Sequence, residues 1–216
     1  MTDQTIRYKQ YFQNKKFLAS ASIAVLLLVI SLVVNFYVGL YATERESNPV
    51  TDLILSNIRV FDVDGIFVYG SIIFWIVIGF LCLFKPKRLP FTLKSIALFI
   101  LIRSLFVSLT HIGPFPTHII LDSNIISKFS SDGDLFFSGH TGLPFLMALI
   151  FWENYYLRLL FIISALIFGI TVLLGHLHYS IDVLAAFFIT YTIFHISEII
   201  FKKDRKLFYE GLDDSI

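Results

Sequence analysis

Long apolar runs separated by short polar connections organise this chain. The runs at Phe17 to Tyr41, Ile66 to Phe84 and Phe91 to Thr110 approach or exceed the about 20 residues a helix needs to cross a hydrocarbon core. Three tighter runs follow: Gly142 to Trp152 with a few flanking residues, Arg158 to Gly175, and Ile181 to Phe201. The fourth is short enough to be re-entrant, and six spans is the expectation. The first run is too long for a signal-peptide core and lacks a small-residue cleavage site, so it is read as a retained anchor. The predicted fold is therefore all-α and polytopic. A single transmembrane domain over residues 17–201 lies between an N-terminal tail, 1–16, and a short solvated C-terminal tail, 202–216.

Composition agrees. Charged residues make up 15% of the 216 and mean hydropathy is +0.78, far from the soluble norm. A net charge of +1 points to no nucleic acid and to no other polyanion. Cys82 is the sole cysteine, which excludes an intrachain disulfide framework.

The placement of lysine and arginine then predicts orientation. Arg7, Lys9, Lys15 and Lys16 precede the first run. Lys85, Lys87, Arg88 and Lys94 flank the second connection, Arg158 the fourth, and Lys202, Lys203, Arg205 and Lys206 follow the last run. The other side carries only Arg45, Arg59 and Lys128. Both termini are expected in the cytoplasm, with connections one, three and five facing outward. Nothing in the sequence separates a cell membrane from a Golgi-type membrane.

Two polar, histidine-bearing stretches reach that outward face. GDLFFSGHTG, residues 133–142, opens span four, and GHLHYSID, residues 175–182, opens span six. His178 and Asp182 are four apart at a helix start and so share a face one turn apart. The carboxylate can fix the imidazole tautomer, which makes the other ring nitrogen a better nucleophile or base. Gly139 allows close backbone approach to a ligand, and free N–H groups at a helix start bind phosphate. His140 would stand beside that anion as general acid or base. Two imidazoles around an anion cradle suit phosphoryl transfer through a phosphohistidine, which needs neither metal nor cofactor. A zinc site built from the same three groups is the alternative those residue types permit.

The sequences S-G-H-T at 138–141 and H-Y-S-I-D-V at 178–183 resemble the two signature motifs of the sphingomyelin synthase family, a branch of the type 2 phosphatidic acid phosphatase superfamily. The longer matches are D-G-D-L-F-F-S-G-H-T from Asp132 and H-Y-S-I-D-V-L-A-A-F from His178. P-V-T-D at Pro49 to Asp52 is a looser counterpart of the family's P-L-P-D motif, and its paired arginines are matched by Arg103 alone. Asp132, Ser180 and Phe187 stand where the family has cysteine, threonine and tyrosine. The resemblance spans about residues 49–195. It implies a six-helix bundle of the type 2 phosphatidic acid phosphatase kind, with His140, His178 and Asp182 catalytic. His178 would attack the phosphorus of a phospholipid donor, and Asp182 would orient it. His140 would protonate the departing diacylglycerol, then deprotonate the lipid alcohol acceptor.

Ser138, Gly139, Asp134, Arg103 and Tyr179 are the candidate substrate-binding residues. Ser138 can donate to phosphate and also cap its helix. Asp134 holds a motif position or caps a turn. Arg103 lies inside span three, where an arginine marks function or snorkels to the headgroups. The outward connections carry Glu44, Glu46, Asp52, Asp62, Asp64, Asp122, Asp132 and Asp134. With a cation–π face from Tyr179, they favour a cationic headgroup such as choline or ethanolamine.

No Arg-Pro dipeptide occurs, and Thr171 and Val172 stand where related lipid phosphatases carry serine-arginine. A phosphomonoester brings about −1.5 to −2 charges and calls for several cations, whereas a diester brings one. The expected activity is transfer of phosphocholine or phosphoethanolamine from a glycerophospholipid to ceramide or another lipid alcohol. The alternatives are a lipid phosphate phosphatase or phospholipase C-like hydrolase, and a non-catalytic membrane scaffold or lipid-binding protein. His195 reads as structural and His176 as a reserve candidate.

Overall fold

A computed structural model describes residues 8, 10–119 and 135–212. Asp122, Lys128, Asp132 and the candidate ligand Asp134 lie outside the described residues. Within them the protein is helical: α1, Lys15–Glu44; α2, Asp64–Phe84; a 3-10 turn, Pro86–Arg88; α3, Leu89–Leu109; α4, Gly139–Ile150; α5, Tyr155–Leu174; α6, Ser180–Ile200; and α7, Lys202–Glu210. Several starts have a local cause. Asn14 and Asn154 cap α1 and α5 by accepting from Phe17 N and Leu157 N, both at 3.0 Å. Pro86 and Pro90 begin the 3-10 turn and α3, where a missing N–H costs nothing.

Among the described residues five helices are long and apolar enough to cross a membrane, and the protein is an integral membrane protein. The fourth expected span is different. Helix α4 has 12 residues, about 18 Å of rise against a hydrocarbon core of about 30 Å. Eight of those residues are buried, because α4 packs between α5 and α6 rather than against lipid. The backbone of its first turn is loosened as well: Pro144 has no N–H to offer the carbonyl of His140.

Helix α3 is the hub. It runs along α1 and touches α4, α6 and α7, and its buried residues include Arg103. The main core joins Phe74, Phe91, Phe99, Phe137, Met147, Phe161 and Ile193. Gly142 is required there, since a Cβ would lie 2.7 Å from the Phe99 ring. The C-terminal tail is not a solvated end. Helix α7 buries Asp204, Leu207 and Phe208, and Asp204 accepts from Lys94 Nζ at 2.7 Å and from the Ser20 hydroxyl. Three helices thus meet at the end of the bundle opposite the histidine motifs.

At the histidine end the connections form a cap with its own small core. Leu55, Leu135 and Tyr179 pack together with Ile58, Ile112, Phe115 and Leu173 around them. Backbone hydrogen bonds stitch the first connection to its neighbours: Ser47 N to His111 O at 2.7 Å and Phe61 N to Leu174 O at 2.9 Å.

Candidate active site

The two histidine motifs meet. Ser138 N donates to Asp182 O at 3.2 Å, which joins the start of α4 to the first turn of α6. His140 and His178 lie close enough for their charges to interact, and His140 stands in the same relation to Arg103. The expected trio and the expected cation therefore share one place.

His178 is 6% exposed and Asp182 1%. Asp182 Oδ2 accepts from Tyr179 N at 2.9 Å and stands 3.6 Å from His178 Nδ1. That separation is an ion-pair distance, longer than a hydrogen bond. His178 Nδ1 and Asp182 Oδ1 are both buried and find no hydrogen-bond acceptor or donor among the described residues. Orphaned polar atoms in a native interior call for a functional reason, and catalytic hydrogen bonds often tighten only when substrate arrives. Because Nδ1 faces the carboxylate, Nε2 is the nitrogen available for chemistry.

His140 is placed by aromatic packing. Its ring lies 4.1 Å from that of Phe67, tilted by 33°, and 6.1 Å from that of Phe168. Phe67, on α2, is a site residue that sequence reasoning missed, since one phenylalanine among 24 carries no local signal. Below this contact a half-open apolar cavity of about 210 Å³ lies between α2 and α5, with Gly70, Phe74, Phe161 and Phe168 at its base and the exposed Ile66 and Ile167 at its rim.

Arg103 points inward rather than snorkelling. Its side chain is buried, and Nε donates to Phe137 O at 2.7 Å. A Cβ on Gly139 would lie 3.2 Å from that Nε, so the glycine lets the guanidinium press against the start of α4. The N–H groups of Gly139 and His140 have no helical acceptor, and with Arg103 they set positive charge beside His140.

Other candidates take structural places. Ser138 is fully buried, and its Oγ accepts from Thr141 N at 3.3 Å and Thr141 Oγ1 at 3.1 Å. It is the α4 N-cap. Tyr179, 2% exposed, donates its hydroxyl to Gly113 O at 2.8 Å and accepts from Val50 N at 3.2 Å. Its ring meets that of Phe115 in a T-shaped contact, and its burial leaves no open face for a cationic headgroup. Burial pushes its phenol pKa up. Asp52 is also taken out of the proposed acidic vestibule, because its carboxylate accepts from Ile54, Leu55 and Ser180. Burial alone would raise the Asp52 pKa, but these hydrogen bonds outweigh it and hold the group below the usual carboxylate range.

His176, the reserve candidate, sits behind the site with Nδ1 2.6 Å from Thr117 Oγ1, and burial lowers its pKa. His195 contacts Glu198 at 2.8 Å, far along α6 from Asp182. Among the described residues no three histidine, cysteine or carboxylate side chains cluster so as to hold a metal ion.

Residues 132–199 match the family described as PAP2 superfamily C-terminal, which supports the type 2 phosphatidic acid phosphatase superfamily and covers both histidine motifs. Members of that superfamily are generally enzymes acting on phospholipids. No curated protein and no solved structure matches the chain.

Proposed function

We propose that this protein is a phospholipid headgroup transferase of the sphingomyelin synthase kind. It moves phosphocholine or phosphoethanolamine from a glycerophospholipid to ceramide or another lipid alcohol. The observation that carries this reading is the junction of Ser138 N with Asp182 O at 3.2 Å, which sets His140 against the His178–Asp182 pair.

In the first half-reaction His178 Nε2 attacks phosphorus, the bond to the diacylglycerol oxygen breaks, and His140 gives that oxygen a proton. In the second, His140 takes the proton of the acceptor hydroxyl, which attacks the phosphohistidine and frees His178. Asp182 holds Nδ1–H and steadies the positive charge that the ring acquires on phosphorylation. Arg103 and the α4 N-terminus hold the non-bridging oxygens, where negative charge is greatest in the transition state. One guanidinium beside helix dipoles matches a singly charged diester better than a dianionic monoester. The apolar cavity under Phe67 holds an acyl chain of the donor and leads its phosphate toward His140. The basic residues clustered at the tail end favour cytoplasmic termini, with the site on the outward face.

The second reading is hydrolysis by the same constellation, with water as acceptor, which the superfamily match equally supports. Purified protein in liposomes with labelled phosphatidylcholine and ceramide decides between them. New phosphosphingolipid is the expected product. Free phosphocholine without it favours the hydrolase, and an inert, folded protein overturns both readings.

A further inference from the structure

Asp52 lies in the first connection, outside both histidine motifs, yet it grips the turn between His178 and Asp182. Its Oδ1 accepts from Ile54 N at 2.8 Å and Leu55 N at 3.0 Å, which fixes its own loop. Its Oδ2 accepts from both the backbone N–H and the hydroxyl of Ser180, each at 2.8 Å. Ser180 begins α6, two residues after His178 and two before Asp182. Asp52 is 7% exposed, and the loop that carries it is anchored by Leu55 in the cap core. Hydrogen bonds to an ionised acceptor are roughly twice as strong as neutral ones, so this is a firm tie between the cap and the start of α6. It works beside the Tyr179 hydroxyl, which joins the same turn to Gly113 and Val50.

The geometry points to Asp52 as a positioning residue for the phosphoryl chemistry, one that sets the turn aiming His178 at Asp182 and at the lipid phosphorus. This rests on the reading of His178 as the nucleophile. Asp52 bonds to Ile54, Leu55 and Ser180 and not to Arg103 or the cavity between α2 and α5, whereas the α4 N-terminus, the other group assigned to substrate binding, meets α6 at Asp182 O. Loosening the turn therefore acts first on attack geometry, and on binding only through that junction. A misplacement of about 1 Å can cost about a hundredfold in rate.

The test uses the full-length protein in liposomes, with kcat and KM for phosphatidylcholine turnover and thermal melting measured in parallel. Asp52→Asn keeps the size but loses the charge and the acceptor on one side, since an amide NH2 cannot accept from the N–H donors that face both oxygens, and Ser180→Ala removes one of the two grips. For Asp52→Asn we expect kcat to fall about tenfold to a hundredfold, with KM close to wild type and a drop in melting too small to unfold the protein at the assay temperature. Ser180→Ala gives a smaller fall, and the double variant is no worse than Asp52→Asn alone, as coupled groups require. Wild-type kcat in a folded Asp52→Asn protein overturns the inference. So does a loss that tracks the folded fraction, or one in which the two substitutions simply add. An inert wild type overturns the proposed function and this inference with it, whereas an active wild type beside an unaffected Asp52→Asn overturns the inference alone.

Discussion

Asp182→Asn separates two jobs of one carboxylate. Oδ2 caps the start of α6 by accepting from Tyr179 N at 2.9 Å, and the same atom faces His178 Nδ1 at 3.6 Å. An amide oxygen in that position keeps the cap, so folding loses only a fraction of the about 1 kcal/mol an N-terminal cap contributes. What disappears is the negative charge opposite a ring that becomes positive as its Nε2 bonds to phosphorus. For full unit charges at 3.6 Å, an effective dielectric near 20 gives about 4.6 kcal/mol. The ring is partly charged at the transition state, which brings the effect to roughly half of that or more. At about 1.4 kcal/mol per decade, the expected loss in kcat is on the order of 10²- to 10³-fold. Asp182 is nearly inaccessible, so salt screens little of this. KM for phosphatidylcholine should hold, since the carboxylate faces the nucleophile and not the lipid. Steady-state kinetics in liposomes, with melting as the control for folding, make the measurement. A folded Asp182→Asn protein within roughly threefold of wild-type kcat refutes the electrostatic reasoning, because that residue would then be a cap and no more.

Bulk in the apolar cavity should discriminate by chain length. Gly70→Leu places side-chain atoms where a Cβ alone would already lie 3.1 Å from Phe168, so turnover of long-chain phosphatidylcholine should fall well below that of a short-chain analogue, and an equal loss for both refutes the acyl-chain assignment. Breaking the buried Lys94–Asp204 pair by Lys94→Ala should destabilise the fold by about 3–5 kcal/mol, read by chemical or thermal unfolding. Lys94→Met with Asp204→Leu should recover most of that loss, and no recovery would mean the pair holds α7 by more than charge. His176 should make stability pH-dependent: with its folded pKa below the unfolded value of about 6.5, the unfolded chain binds more protons, so stability is lost as pH falls below that value. His176→Asn tolerates the backbone φ of 54° and should flatten the melting profile between about pH 7 and 5; an unchanged slope assigns the effect elsewhere.

The long spans and the His178–Asp182 pairing were legible because both are local signals, apolar run length in one case and i,i+4 spacing in the other, while the meeting of the two histidine motifs followed from the alternation of basic and non-basic connections. Helix α4 was legible as a segment but not as a buried one: Gly142 and Pro144 make it a close-packing element, and only its neighbours reveal that it need not meet lipid. The tail misled for a different reason. Lys202, Lys203, Arg205 and Lys206 form a charge run that reads as solvated, while Asp204, Leu207 and Phe208 occupy the one face that docks. The places of Asp52 and Tyr179 were illegible in principle. Both read as exposed recognition groups on an outward surface, and both are consumed by contacts with partners from 66 to 129 residues away. Phe67 against His140 belongs to the same class, a contact fixed by helix packing alone.

The proposed chemistry turns on a covalent bond between phosphorus and His178. Protein quenched during turnover of ³²P-labelled phosphatidylcholine is digested for peptide mass spectrometry. Acid-labile, base-stable label is expected on the peptide carrying His178, lost in His178→Ala and discharged by added ceramide. Label on another residue, or continued transfer by the His178→Ala protein, would contradict it.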